Sequence, residues 1–191
     1  MKKILSIALL LVLAMAARAQ EDYSFPVEFR GKTPTVTDFV KAISHQEDPG
    51  ELLANIGKHK KRICGKDYVV YSKRTKEGRF VWTDSTEFCV WDYSDGRHKM
   101  VVMIHRDYLN GEIAAGQYSG LSLYVYDAPT RRMRILSVYN QGIESPEING
   151  VPVYTLSAEG KTITVSVNNP DEGSDSITYR WDGVFFSPIC L

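Results

Sequence analysis

From Asp67 to its end the chain is written in short apolar or alternating runs, cut every few residues by turn formers. That rhythm is too short for helices and fits antiparallel strands joined by tight turns. Val69-Val70-Tyr71 leads to a turn at Lys76-Glu77-Gly78, and Phe80-Val81-Trp82 returns. Thr83 to Thr86 reads as a short turn, and Phe88 to Tyr93 then meets Asp95-Gly96. Asp-Gly between apolar runs is among the strongest short hairpin signals. A two-residue type I′ turn there sets Ser94 against Arg97. Counting outward pairs Tyr93 with His98, Asp92 with Lys99, Trp91 with Met100 and Val90 with Val101. The opposite charges of Asp92 and Lys99 agree with this register. Met100 to Ile104 is apolar at every position, which predicts a central strand covered on both sides.

The meander continues through Tyr118 to Asp127 and Arg132 to Tyr139. A loop over Asn140 to Pro152 follows, then a hairpin of Val153 to Ser157 with Thr162 to Val167. Ile177, Tyr179 and Trp181 alternate into Asp182-Gly183, and Val184-Phe185-Phe186 reads as the last strand. About ten short strands predict a mainly β fold, an antiparallel meander forming a sandwich or partly closed barrel. A short helical segment precedes it. Thr35 or Thr37 can cap a helix carrying Val36, Phe39, Val40 and Ile43, and Pro49-Gly50 breaks it. Glu51 to Lys61 reads as a second short helix with Leu52, Leu53 and Ile56 on one face. Residues 20–34 form an extended lead-in. Residues 35–191 form a single domain, with a helical piece over 35–62 and an antiparallel β domain over 66–191.

Residues 1–19 have the form of a secretory signal peptide: Lys2 and Lys3, an apolar run from Ile4 to Ala16, and Ala17-Arg18-Ala19 as the cleavage site. The apolar run is short for a membrane span, and no cysteine follows the cleavage point as a lipoprotein would require. The expected location is the periplasm or the cell exterior. Lys+Arg and Asp+Glu are 23 each, and removing the leader takes away three bases and no acid. The remaining chain is acidic, which argues against a nucleic-acid partner. The expectation is no membrane span beyond the leader.

The closing segment Tyr179-Arg180-Trp181-Asp182-Gly183-Val184-Phe185-Phe186 resembles a terminal Tyr-x-Trp-Asp-Gly-x-x-Phe hairpin of exported bacterial β-rich proteins. The resemblance covers about the last thirty residues. It implies a bacterial envelope setting and carries no shared activity.

Export places Cys64, Cys89 and Cys190 in an oxidising compartment, where Cys64–Cys89 is the favoured disulfide. Lys58, Lys60, Lys61, Arg62 and Lys66 form a candidate anion-binding patch beside the second helix. Asp92, Asp95, Asp182 and Glu172 are candidate paired carboxylates, though each aspartate before glycine has a sufficient role in its turn. The run Asn168, Asn169, Asp171, Glu172 and Asp175 matches no calcium loop and reads as a solvated turn. The four histidines are scattered, and His98 and His105 fall on opposite strand faces, so no metal and no cofactor is expected. Without a catalytic constellation in the sequence, the expected function is a non-enzymatic binding or interaction module. Its partner would be an envelope protein or a glycan. The alternatives are a barrel carrying a small ligand and a small hydrolase of envelope polymers.

Overall fold

The computed structural model describes residues 24–46, 55–114, 119–169 and 171–189. Its elements in chain order are Ser24–Pro26 (β1), Val36–Ser44 (α1), Lys60–Gly65 (β2), Tyr68–Glu77 (β3), Phe80–Asp92 (β4) and His98–Leu109 (β5). Glu112–Ile113 (β6), Ser119–Asp127 (β7), Arg132–Leu136 (β8), Val153–Ser157 (β9), Thr162–Asn169 (β10), Gly173–Trp181 (β11) and Phe186–Pro188 (β12) follow. The large sheet runs β1-β8-β7-β5-β4-β3-β2, with β6 attached to β5. The small sheet runs β12-β11-β10-β9. Every pairing is antiparallel. Neither sheet closes into a barrel, and the fold is a sandwich. Among the described residues no helix is long and apolar enough to cross a membrane.

The pleat sends alternate residues of the large sheet to two cores. Val101 and Met103 of β5 face one core with Phe88 and Val90 of β4 and the buried face of α1. Met100, Val102 and Ile104 face the other, against Ile163, Val165, Tyr179 and Trp181 of the small sheet. The apolar run at 100–104 is therefore a central strand covered on both sides. The layers are helix, large sheet and small sheet.

The helix forms where the spacing predicts. Val36, Phe39, Val40 and Ile43 make one buried stripe. Asp38 Oδ2 accepts from the Thr35 backbone N–H and from the Thr35 hydroxyl, 2.7 Å each, closing the first turn. Phe39 packs edge-on against Tyr126, ring centres 5.0 Å apart.

Several local expectations are corrected. The lead-in is not merely extended: Ser24–Pro26 pairs with β8 as an edge strand, where Pro26 lacks a donor at little cost. Residues 47–54, with Leu52 and Leu53 of the expected second helix, lie outside the described residues. Of the rest, Ile56–Lys58 is a single 3-10 turn, and Lys60 already begins β2. Thr83 to Thr86 is no turn but the middle of a 13-residue β4, paired on both sides. The β4–β5 register matches the expected pairs Asp92↔Lys99, Trp91↔Met100 and Val90↔Val101. The turn type does not. Only Gly96 of the central pair has a positive φ, +66°, so the loop is not type I′. Asp95 Oδ1 instead accepts the backbone N–H groups of Arg97 (2.8 Å) and His98 (2.9 Å). The second Asp-Gly loop repeats this, with Asp182 Oδ1 accepting from Val184 (2.7 Å) and Phe185 (3.0 Å). Val184 and Phe185 are consequently loop residues, and β12 begins at Phe186. The two loops dock on each other through Ser94 N–H donating to Gly183 O at 2.9 Å. Trp181 Nε1–H donates to Asp92 O at 3.1 Å beside them.

Candidate functional site

The large sheet outruns its helix. On the α1 side, β3 and β5 begin with apolar positions and continue as polar ones, and the antiparallel β4 runs the other way, polar first and apolar last. The register sets Tyr71, Thr86 and His105 side by side, then Lys73, Asp84 and Asp107, then Thr75 and Trp82. These last rows line an open groove of 490 Å³, with Lys73, Thr75, Glu77, Trp82, Asp84 and Asp107 in its wall.

Asp84 and Asp107 stand directly opposite on neighbouring strands. Like charges so placed destabilise a sheet. His105 lies between them, Nδ1 3.6 Å from Asp84 Oδ1 and Nε2 3.6 Å from Asp107 Oδ1. Both separations exceed a hydrogen bond. The Thr86 hydroxyl is 3.3 Å from His105 Nδ1. His59 enters from the loop before β2 with a side chain only 2 % exposed. Its Nε2 is 2.8 Å from Asp84 Oδ2, and its Nδ1 is 3.0 Å from Asn55 O. Asp84 Oδ1 is sealed from water and, among the described residues, accepts no hydrogen bond. Burial pushes the Asp107 carboxyl above its ordinary range; His105 opposes the shift and Asp84 adds to it.

A turn expected at Thr83–Thr86 hides this cluster in the sequence, because β4 runs straight through those residues. The signal was His105-x-Asp107, two residues apart on a strand and so on one face. Asp84 joins them only through long-range pairing.

The predicted site residues lie elsewhere. Cys64 is exposed, Cys89 is buried, and both are free thiols. A Cys64–Cys89 disulfide is not formed. Gly65, beside Cys64, pairs with Tyr68, which pairs in turn with Cys89. A whole strand separates the two cysteines, about 9.5 Å of sheet, beyond the roughly 7 Å a disulfide spans. Cys190 lies outside the described residues. Cys64 and Cys89 do share the wall of a second cleft, 640 Å³, where β3 and β4 meet the β9–β10 loop with Ser157, Glu159 and Lys161. Burial pushes the Cys89 thiol up to about 12.

The basic residues do not gather at a helix end. Lys60, Lys61 and Arg62 lie on β2, the outer strand of the large sheet, and all are exposed. The pleat turns Lys61 to one face and Lys60 and Arg62 to the other. Lys58 is tied to Asn55 Oδ1 at 2.8 Å, and Lys66 sits in the next turn. Charges spread along an open edge oppose edge-to-edge pairing, which accounts for them without a ligand.

The candidate carboxylates also separate. Asp92 pairs with Lys99, Asp95 and Asp182 each cap their own loop, and Glu172 receives Asn149 N (3.0 Å) and Nδ2 (2.7 Å). The Asn168–Asp175 loop is closed by the Asn169 side chain, which accepts from Asp171 N at 2.9 Å. On the far face of the large sheet Glu87 pairs with Arg106 and accepts from Tyr68 OH at 2.7 Å, a buried network facing the small sheet. No protein-family model matches the chain, nor does any curated protein or any solved structure.

Proposed function

We propose that the chain is an exported, non-enzymatic binding module of the bacterial periplasm or cell exterior, and that it takes a glycan in the groove beyond α1. One observation carries this reading: a half-buried tryptophan, Trp82, set among Lys73, Thr75, Glu77, Asp84 and Asp107 in an open groove. A sugar ring presents an apolar face to stack on an indole and hydroxyls at its rim. Carboxylates and an ammonium at that rim supply acceptors and donors of the charge-assisted kind. The leader-like residues 1–19 and the terminal hairpin motif support the envelope setting.

The test is binding of soluble cell-wall and outer-envelope oligosaccharides to the chain lacking residues 1–19, followed by calorimetry. The expected result is saturable binding to one glycan class that Trp82→Ala removes while the melting temperature is retained. No binding across the set, or binding indifferent to Trp82→Ala, overturns it. A second reading, a carrier of a small ligand, is favoured by the 640 Å³ cleft between the sheets. Native mass spectrometry of protein purified gently from its own host separates the two. Excess mass lost on denaturation would favour the carrier.

A further inference from the structure

The same half-face assembles a constellation that neither motif spacing nor the glycan reading requires. Asp84, His105 and Asp107 each offer a donor atom, and these atoms lie within 4.8 Å of one another. We propose that the three residues form a binding site for one divalent transition-metal cation, with Zn2+ the best match.

The spacing is of the right size, because two donors on one cation at about 2.0 to 2.4 Å each sit no more than about 4.0 to 4.8 Å apart. The cluster is mixed rather than merely acidic, joining one imidazole to two carboxylates. Imidazole suits Zn2+ and its neighbours, whereas Ca2+ asks for six or more oxygens.

The surroundings are those of a supported ligand set. His59 holds Asp84 through Oδ2 and is itself fixed by Asn55 O, so Asp84 presents Oδ1 to the cluster. That oxygen is sealed from water and has no donor among the described residues. Thr86 Oγ1 lies 3.3 Å from His105 Nδ1, a hydrogen-bond partner that orients the ring between the two carboxylates. Metal-binding imidazoles and carboxylates are oriented by such outer hydrogen bonds. A cation also removes the cost of two carboxylates facing each other across β4 and β5. His105 alone does not neutralise them by hydrogen bonding, since it stands 3.6 Å from each. Three protein donors leave a coordination position open, and Asp84 and Asp107 also line the groove of Trp82. The site stands whether or not the groove takes a glycan.

The experiment is calorimetric titration of chelator-treated protein, residues 20–191, with Zn2+ alone, and native mass spectrometry for stoichiometry. One Zn2+ per chain is expected, uncontested by excess Ca2+ or Mg2+. Asp107→Asn and His105→Gln should each weaken it about tenfold or more. Asp107→Asn should melt, metal-free, no lower than the parent, which shows that the loss is not unfolding. Trp82→Ala and Cys64→Ser should leave the affinity unchanged, separating this site from the glycan reading and from an exposed thiol. Absence of saturable binding by the folded parent overturns the proposal. So does Zn2+ binding that survives both ligand substitutions, or that disappears with Cys64→Ser.

Discussion

Two halves of one sheet face behave as different materials. Under α1, the alternate positions of β3, β4 and β5 are Val69, Tyr71, Phe88, Val90, Val101 and Met103, joined to Phe39 and Ile43 of the helix. Further along the same strands and the same pleat they become Lys73, Thr75, Asp84, His105 and Asp107. Backbone pairing runs unbroken through both halves, so the ladder does not distinguish them. The difference lies in what the side chains must do. The covered half excludes water and tolerates no unpaired polar group. The open half is anchored by ladder hydrogen bonds and by the core next to it, and this frees its side chains from packing. A strand longer than its lid is a rigid platform for groups that touch something outside the fold.

Truncation on each side of the boundary separates the two halves most directly. Phe39 is fully buried against Tyr126 and sits in a helix that alanine suits. Phe39→Ala should therefore lose packing alone, about 3–5 kcal/mol by chemical denaturation. Thr75→Ala, exposed on the same sheet face, should stay within about 0.5 kcal/mol. Equal losses at the two positions would mean that the helix is not the lid described above. The docked hairpin loops come next. Gly183 has φ +102°, and a β-carbon there would stand 3.2 Å from Ser94 N. Gly183→Ala should cost about 1–3 kcal/mol. Gly96, at φ +66° with open space around it, should cost less with alanine and little with asparagine, which tolerates the left-handed region. A Gly183→Ala variant as stable as the parent would dismiss the loop contact as a fastener between the sheets.

The covered half was legible in the sequence and the open half was not. Periodicity gave α1, and the unbroken apolar run at 100–104 gave a strand buried on both sides, because burial is written directly in residue type. The Asp95-Gly96 dipeptide gave the β4–β5 register through the Asp92–Lys99 pair, though the aspartate side chain, rather than two left-handed residues, makes the loop. The site depended on the identity of Thr83–Thr86. Polar residues in that order favour a turn locally, and pairing with both β3 and β5 overrides that preference. Reading a turn there cut the strand and hid the meeting of Asp84 with Asp107. The disulfide expectation failed for a related reason. Proximity in sequence of β2, β3 and β4 does not make their cysteines neighbours when β3 lies between.

At the opposite end of the strands from Asp84 and Asp107, an ion pair ties the β4–β5 loop to β7. Asp127 accepts from Arg97 Nε at 2.7 Å and from the Thr130 hydroxyl at 2.6 Å. Chiefly through Arg97, these hold its carboxyl down at about 2. The folded value lies below the ordinary aspartate value of about 3.9, so its contribution is complete above that pH. It is lost as the pH falls toward 2. Asp127→Asn should reduce stability at neutral pH and flatten the decline in melting temperature between about pH 4 and pH 2. A decline of the parent's steepness would mean that other carboxylates govern the acid limb.

Thiol reactivity reports directly on the strand order. Cys64 is exposed on the outer strand, while Cys89 is buried two strands in, its thiol pushed up to about 12. The thiolate is the reacting species, so burial protects Cys89 twice, by access and by protonation. In a Cys190→Ser background, a thiol reagent at pH 8 should label one cysteine of the native protein at once. The second should react only on unfolding, and a reducing agent should leave the melting temperature where it was. A drop on reduction, together with a native protein that offers no reactive thiol, would require Cys64 and Cys89 to be bonded. That bond cannot form with β3 between them, so the result would overturn the pairing of β2 with β3 and of β3 with β4. Those pairings also fix which residues stand beside Asp84, so this thiol count is a test of the groove's geometry as well.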